Sequence, residues 1–213
     1  MDYYTHLCNW ISGLDENLLL TVNGYHTQFL DEAMWIVSGR WTWLPLYFLL
    51  LLMVFRSMGI NKGAFVILFV TALIIATDQT CASFIRPLVG RLRPSNPDNP
   101  LSSLIVTVNG YRGGRYGFPS CHAANTFALA VFLSLLFKNR CITFFLIAWS
   151  LLISYSRIYL GVHYPGDIFG GMAVGSLLAC VYYQPLRWYD SIIWHSDTET
   201  HCHYIKNSSD LSC

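Results

Sequence analysis

SRIYLGVHYPGD, residues 156–167, joins two apolar runs and places Arg157, His163 and Asp167 in one short connection. Its flanks decide the fold. Upstream lies ITFFLIAWSLLISYSRIY (142–159) and downstream IFGGMAVGSLLACVYY (168–183), each approaching the roughly 20 residues a helix needs to cross hydrocarbon. Working outward, three more runs have this character: Trp41–Phe55, Gly63–Ile85 and Ala123–Phe137. The expected fold is all-α, a polytopic transmembrane helix bundle of five spans. It becomes six if the segment FLDEAMWIVSG (29–39) extends into the run from Trp41. That segment and LCNWISGLDENLLLTV (7–22) have helical spacing but carry Asp15, Glu16, Asp31 and Glu32, which are costly at mid-bilayer, so both are read as amphipathic interfacial helices. The expected organisation is interfacial helices over 1–40, a membrane domain over 41–188 and a polar tail over 189–213.

Composition agrees with a bilayer solvent. Apolar residues make up 54% of the chain and charged residues 12%, against about 25% charged in soluble domains. A net charge of +1 gives no basic stripe of the kind a nucleic-acid partner requires. The seven cysteines have neither disulfide-framework nor metal-ligand spacing and are expected to pack as small apolar groups. His201, Cys202 and His203 are adjacent, which suits a solvated tail better than convergence on one ion. The acidic start, with Asp2, Asp15 and Glu16, does not read as a cleaved signal peptide, so the first span is expected to target the chain.

Three polar stretches sit at ends of apolar runs: RPLVGRLRP (86–94), PSCH (119–122) and the stretch from Ser156. With five alternating spans they fall on one face. The opposite face takes the short loops FRSMGINK and FKNR and the basic residue Arg187, which the positive-inside rule assigns to the cytoplasm. Trp35, Trp41, Trp43, Trp188 and Trp194 flank the segments as expected belt residues. The polar connection 94–117 is a loop able to fold over a site.

Arginine suits a phosphoryl group because its planar, permanently charged guanidinium can bond two oxygens at once. Arg86, Arg93 and Arg157 can surround one phosphate. Pro87, Gly90 and Pro94 oppose regular helix there, so convergence must come from a helix end and a turn. Ser120 is placed to cap the helix that follows, whose free amides suit an anion. His122 has the acidity to protonate a leaving oxygen. If Pro165 opens the last helix, Asp167 reaches back to one His163 nitrogen and leaves the other free for attack; a plain capping arrangement stands as the alternative. Asp78 is too costly to face lipid and is expected to pair inside the bundle.

These stretches resemble the signature of the type 2 phosphatidic acid phosphatase superfamily, which also includes bacterial acid phosphatases and vanadium haloperoxidases. The pattern is Lys, six residues, Arg-Pro; Pro-Ser-Gly-His; then Ser-Arg, five residues, His, three residues, Asp. The chain matches it in order and spacing, with Arg86 for the Lys and Cys121 for the Gly. The resemblance implies that His163 is the nucleophile, Asp167 its support and His122 the acid. It implies that Arg86, Arg93, Ser120, the Cys121 amide and Arg157 hold phosphate, with no metal and no cofactor.

The function expected is a membrane lipid phosphate phosphatase acting through a phosphohistidine, with a lipid phosphate and the bilayer as partners. Undecaprenyl diphosphate is the favoured substrate, at the periplasmic face of a bacterial inner membrane. The alternatives are a lipid A phosphatase, in which Arg112 and Arg115 grip a second phosphate, and a catalytically silent lipid-binding or transport protein.

Overall fold

The computed structural model describes residues 2–209, with side chains over 5–188 apart from Cys8. Its helices are α1 (Asp2–Asn23), α2 (Gln28–Ser38), α3 (Leu44–Gln79), α4 (Arg86–Val89), α5 (Cys121–Phe137), α6 (Arg140–Tyr159) and α7 (Pro165–Ser209). No strand occurs among the described residues; one isolated antiparallel bridge joins Leu92 to Tyr116. The polar tail expected over 189–213, with Trp194, His201, Cys202 and His203, lies outside the residues whose side chains are described.

α3 is two antiparallel arms. Gly59 inside it has φ 74° and ψ 175°, a conformation open to glycine and costly for other residues. A Cβ on Gly63 would lie 3.4 Å from the Phe55 Cα, whereas a continuous helix would hold these residues about 12 Å apart. The chain therefore reverses at Gly59. A wider loop, FRSMGINK, was expected. Arg56 through Lys62 instead stay helical on both sides of one glycine because none of the others breaks a helix. The apolar stretch Trp41–Val89 of 49 residues is long enough for two passes of about 20 residues each. Arg140–Tyr159 and Pro165–Trp188 are also long and apolar enough to cross, and Cys121–Phe137 is a shorter apolar helix.

A π-helical turn at Thr80–Ile85 ends the second arm of α3, with the Arg86 amide donating to the Cys81 carbonyl. Pro87 cannot donate to Ser83 and its ring would clash with that carbonyl in a regular helix. The wider turn relieves this and rotates Arg86 toward the bundle. α4 then stops at Gly90, which adopts φ 61°. Beyond it the chain pinches back on itself: Arg93 N donates to the Arg115 carbonyl at 3.0 Å and Gly117 N to Arg91 at 2.8 Å. Arg93 is thus fixed at one rung, and its Nε also donates to the Tyr116 carbonyl at 3.0 Å.

Helix association in lipid relies on close packing rather than on water expulsion. α5 packs most extensively on α7, with Ala123, Ala124, Ala128 and Ala130 of α5 fully buried. Gly171 and Gly175 meet that face: a Cβ on either would collide with α5 backbone at Ser120 or Ala124. Trp43, expected in a belt, turns inward instead, donating to the Val37 carbonyl at 2.8 Å and packing 5.7 Å from Trp149.

α1 and α2 pack on the site end of the bundle, against α6. The Asn23 amide donates to the Val106 and Tyr159 carbonyls at 2.9 and 2.8 Å. In α2, Asp31 accepts from Tyr159 Oη at 2.6 Å. The N-terminal helices thereby tie the loop 94–117 to the end of α6.

Candidate active site

His163 sits in the α6–α7 connection, 1% exposed, between two groups that fix its tautomer. Arg93 Nη1 lies 3.1 Å from Nε2, and Asp167 Oδ2 lies 3.4 Å from Nδ1. A guanidinium donates and never accepts, so Nε2 carries the lone pair; a carboxylate accepts, so Nδ1 carries the proton. Burial, and then the charges of Arg93, Arg157 and Arg86, push the His163 pKa well below its ordinary value. A neutral ring with a bare Nε2 is the nucleophilic form.

Asp167 is fully buried at the start of α7. Its Oδ2 also accepts the Tyr164 amide at 3.1 Å, so capping and ring support fall to the same oxygen. Its Oδ1 accepts from Arg91 Nη1 at 3.0 Å, and Arg91 Nη2 reaches Asp15 in α1 at 2.5 Å. Asp15 accepts the Gly166 amide as well, at 2.7 Å. Burial lowers the Arg91 pKa, but Asp167 and Asp15 outweigh it and raise the pKa overall. A Cβ on Gly117 would lie 2.7 Å from Asp167 Oδ2, so this approach requires glycine.

Arg86, Arg93, Cys121, His122, Arg157 and His163 line one cavity of about 740 Å³. Arg86 Nη2 donates to the Pro119 carbonyl at 3.2 Å and to Cys121 Sγ at 2.8 Å. Arg157 is buried and bonds Ser38 Oγ and, at 3.3 Å, Tyr111 Oη. The Nε atoms of Arg86 and Arg157 are buried without a partner, leaving donor capacity for an anion. Burial followed by repulsion from Arg157 and Arg86 lowers the Arg93 pKa to about 10, which leaves it charged at neutral pH. For Tyr111, burial raises the pKa, but the Arg157 charge and hydrogen bond prevail and lower it.

Ser120 stands behind this wall. Ser120 is fully buried, accepts the Ala123 amide at 3.5 Å as the α5 cap, and donates its own amide to the Asp167 carbonyl at 2.9 Å. It thereby ties α5 to α7. Asp78 lines the cavity and accepts from Asn125 at 3.3 Å. Arg112 and Arg115 do not line the cavity. Arg112 donates to the Ser95 carbonyl at 2.9 Å, and exposed Arg115 lies 3.6 Å from Asp98. At the mouth stands Arg40 instead, beside Trp35, Ser38 and Tyr111 in an adjoining cavity of about 200 Å³. Arg40, Tyr111, Arg91 and Asp15 were not found from sequence. The adjacent Asp15 and Glu16 in α1 carried one usable signal, since a carboxylate in an apolar helix needs a partner.

A histidine held between an arginine and an aspartate, facing a cavity with three arginines at the end of apolar helices, is an arrangement suited to phosphoryl transfer in a membrane hydrolase. Residues 63–190 match the PAP2 superfamily, and the chain belongs to it. It is 43% identical over 177 residues to a lipid A 4'-phosphatase of Bacteroides thetaiotaomicron, covering 83% of this chain and 79% of the relative. A lipid A 4'-phosphatase of Porphyromonas gingivalis is 36% identical over 82% of this chain and 74% of its own. An undecaprenyl-diphosphatase of Sulfolobus acidocaldarius is 30% identical over 78% of this chain and 71% of its own. Among solved structures, the fold resembles the transmembrane PAP2 type phosphatidylglycerolphosphate phosphatase of Bacillus subtilis. The TM-score is 0.61 at 21% identity, over 87% of this chain and 88% of that one. The chain is a membrane lipid phosphatase, a hydrolase of phosphoric ester bonds.

Proposed function

We propose that this phosphatase removes a phosphate from the sugar headgroup of a glycolipid, in the manner of a lipid A 4'-phosphatase, through a phosphohistidine at His163. The carrying observation is the bare Nε2 of His163, turned to Arg93 in the cavity that Arg86 and Arg157 also line. In the first step Nε2 attacks phosphorus in line, the ester oxygen departs, and His122 protonates it. Arg93 moves from the ring to a phosphoryl oxygen; Arg86, Arg157 and the free amides at the start of α5 hold the others. Water, deprotonated by His122, then attacks the phosphohistidine and releases inorganic phosphate. Asp167, held by Arg91, keeps the ring oriented throughout.

Sequence alone favoured undecaprenyl diphosphate. The relatives that match over four fifths of the chain support the lipid A alternative better. A second observation fits an amphiphile of either kind: an apolar groove of about 580 Å³ shares Tyr47, Ile74, Asn125 and Thr126 with the phosphate cavity and continues along Leu129, Leu133 and Val70. The headgroup occupies the first and the chain enters the second. We place the protein in a bacterial inner membrane with the cavity toward the periplasm. The basic tips at Arg56–Lys62 and Lys138–Arg140 then lie at the cytoplasmic ends of the same helices.

The test is phosphate release by the purified protein in detergent, with His163→Ala as control. Substrates are bisphosphorylated lipid A, undecaprenyl diphosphate, phosphatidylglycerol phosphate and phosphatidate. The highest kcat/KM is expected on lipid A, with mass spectrometry placing the loss at the 4' sugar position. Release from the polyprenyl diphosphate with none from lipid A would overturn the substrate assignment.

A further inference from the structure

Asp78 lies in the second arm of α3, within a stretch long and apolar enough to cross a membrane, where a carboxylate is costly and marks function by default. Its Oδ1 accepts from Asn125 Nδ2 at 3.3 Å, and among the described residues it has no other hydrogen bond and no ion pair. The amide therefore orients the carboxylate without neutralising it. His122, Asn125, Thr126, Leu129 and Leu133 follow one another along α5 at i, i+3, i+4, i+7 and i+11, so they share one helical face. Along that face the lining changes in order. His122 belongs to the phosphate cavity, Asn125 and Thr126 to cavity and groove alike, and Leu129 and Leu133 to the apolar groove. Asp78 meets this face at Asn125, on the phosphate-cavity side. With His122 protonating the departing oxygen and the chain in the groove, the atoms that join the two pass Asn125 and Asp78. One helical turn, about 5.4 Å, separates His122 from this pair, so the pair meets the first groups beyond the leaving oxygen. In a diphosphate that group is a second phosphate. In a sugar or glycerol monoester it is carbon bearing hydroxyl or amide substituents.

We propose that Asp78, oriented by Asn125, is a specificity-determining residue that favours phosphomonoesters whose leaving group carries O–H or N–H donors and disfavours diphosphates. An ionised carboxylate accepts hydrogen bonds and cannot donate them, so a hydroxyl or amide N–H satisfies it. A second phosphate brings like charge to a half-buried site, where the repulsion is stronger than in bulk water. Repulsion built against a near relative of the proper ligand is a common source of specificity. Arg86, Arg93 and Arg157 attract a phosphate of either kind and do not make this distinction. The assignment rests on the phosphatase reading above and names the leaving-group chemistry within it.

The experiment compares farnesyl monophosphate with farnesyl diphosphate, which share one chain and differ by the second phosphate, on the full chain in detergent. Each is assayed for phosphate release and as a competitor of the lipid phosphate that the wild type turns over fastest, so a kcat/KM or a KI is obtained in every case. The two esters differ in intrinsic reactivity, so the readout is the change in their ratio on substitution. Asp78→Asn keeps the shape and removes the charge, and is expected to shift the ratio about tenfold toward the diphosphate. Asp78→Glu is expected to keep the wild-type ratio, and Asp78→Ser serves if the asparagine variant does not fold. A general change in phosphate affinity, or a merely structural role, moves both substrates alike. A ratio unchanged in Asp78→Asn, or shifted equally in Asp78→Glu, would overturn the proposal. The prenyl pair contains no sugar, so this result is separate from the ranking of lipid A against the other lipids.

Discussion

At the residue scale, the nucleophile candidate is held by a relay that starts outside its own motif. Asp15 in α1 holds Arg91, Arg91 holds Asp167, and Asp167 faces the His163 ring. Asp15→Asn removes the charge that fixes Arg91 without touching substrate. Because small misplacements of a reacting group are costly, kcat is expected to fall on the order of 10-fold to 100-fold with KM little changed, and Asp15→Glu to recover part of it. An unchanged kcat in steady-state assays on the Asp15→Asn variant would remove Asp15 from the relay. The pH dependence has a definite sign. A histidine pushed well below its ordinary value, by burial and three guanidinium charges, stays neutral in the free protein as pH falls through about 6.5. Nitrogen chemical shifts of the His163 ring are therefore expected to show no protonation down to pH 6. Titration near 6.5 would place the ring in water rather than among the arginines.

At the scale of elements, the site depends on how closely α7 approaches α5. Gly175 faces the Ala124 backbone, where a Cβ would come within 2.9 Å of the carbonyl carbon. Backbone cannot rotate away as a side chain can, so Gly175→Ala must push the helices apart. The expected cost is about 1–3 kcal/mol, read as a lower thermal midpoint in detergent. A fall in kcat accompanies it, because Ser120 and His122 ride on α5 and His163 precedes α7. Gly13→Ala in α1, with nothing within 4 Å of a Cβ, is the control and should be neutral or slightly stabilising. Equal midpoints for the two variants would contradict the close-packing account. Helix starts at this scale were legible in sequence, since Ser120 and Pro165 carry local capping and φ preferences. The reversal at Gly59 was seen as a loop rather than one residue. The π turn was not legible, because it is a compromise between Pro87 and burial of Cys81 that no periodicity displays.

At the scale of the whole molecule, the alternation of spans put the three motif stretches at one end. That topological argument needed only the lengths of apolar runs. What length cannot convey is which residues converge from distant segments. Arg40 and Tyr111 reach the cavity from a short turn and a long loop, and Arg112 and Arg115 turn to the loop itself. Nor could the groove along Leu129 and Val70 be foreseen, since it forms where the two arms of α3 meet α5. Narrowing it tests the amphiphile reading: Leu129→Trp is expected to raise KM for a long-chain lipid phosphate about tenfold while leaving a small water-soluble phosphate ester unaffected. Equal effects on both substrates, in matched detergent assays, would mean that the lipid chain lies elsewhere.

The central chemical claim is a covalent bond between phosphorus and His163 Nε2. Rapid quenching into alkali during turnover of a phosphorus-labelled lipid phosphate preserves such a bond, and peptide mass spectrometry locates it. The expected result is one phosphoryl group on His163, formed and lost at rates compatible with kcat and absent from His163→Ala. Label on Ser120 or Cys121 instead, or undiminished turnover by His163→Ala, would contradict it.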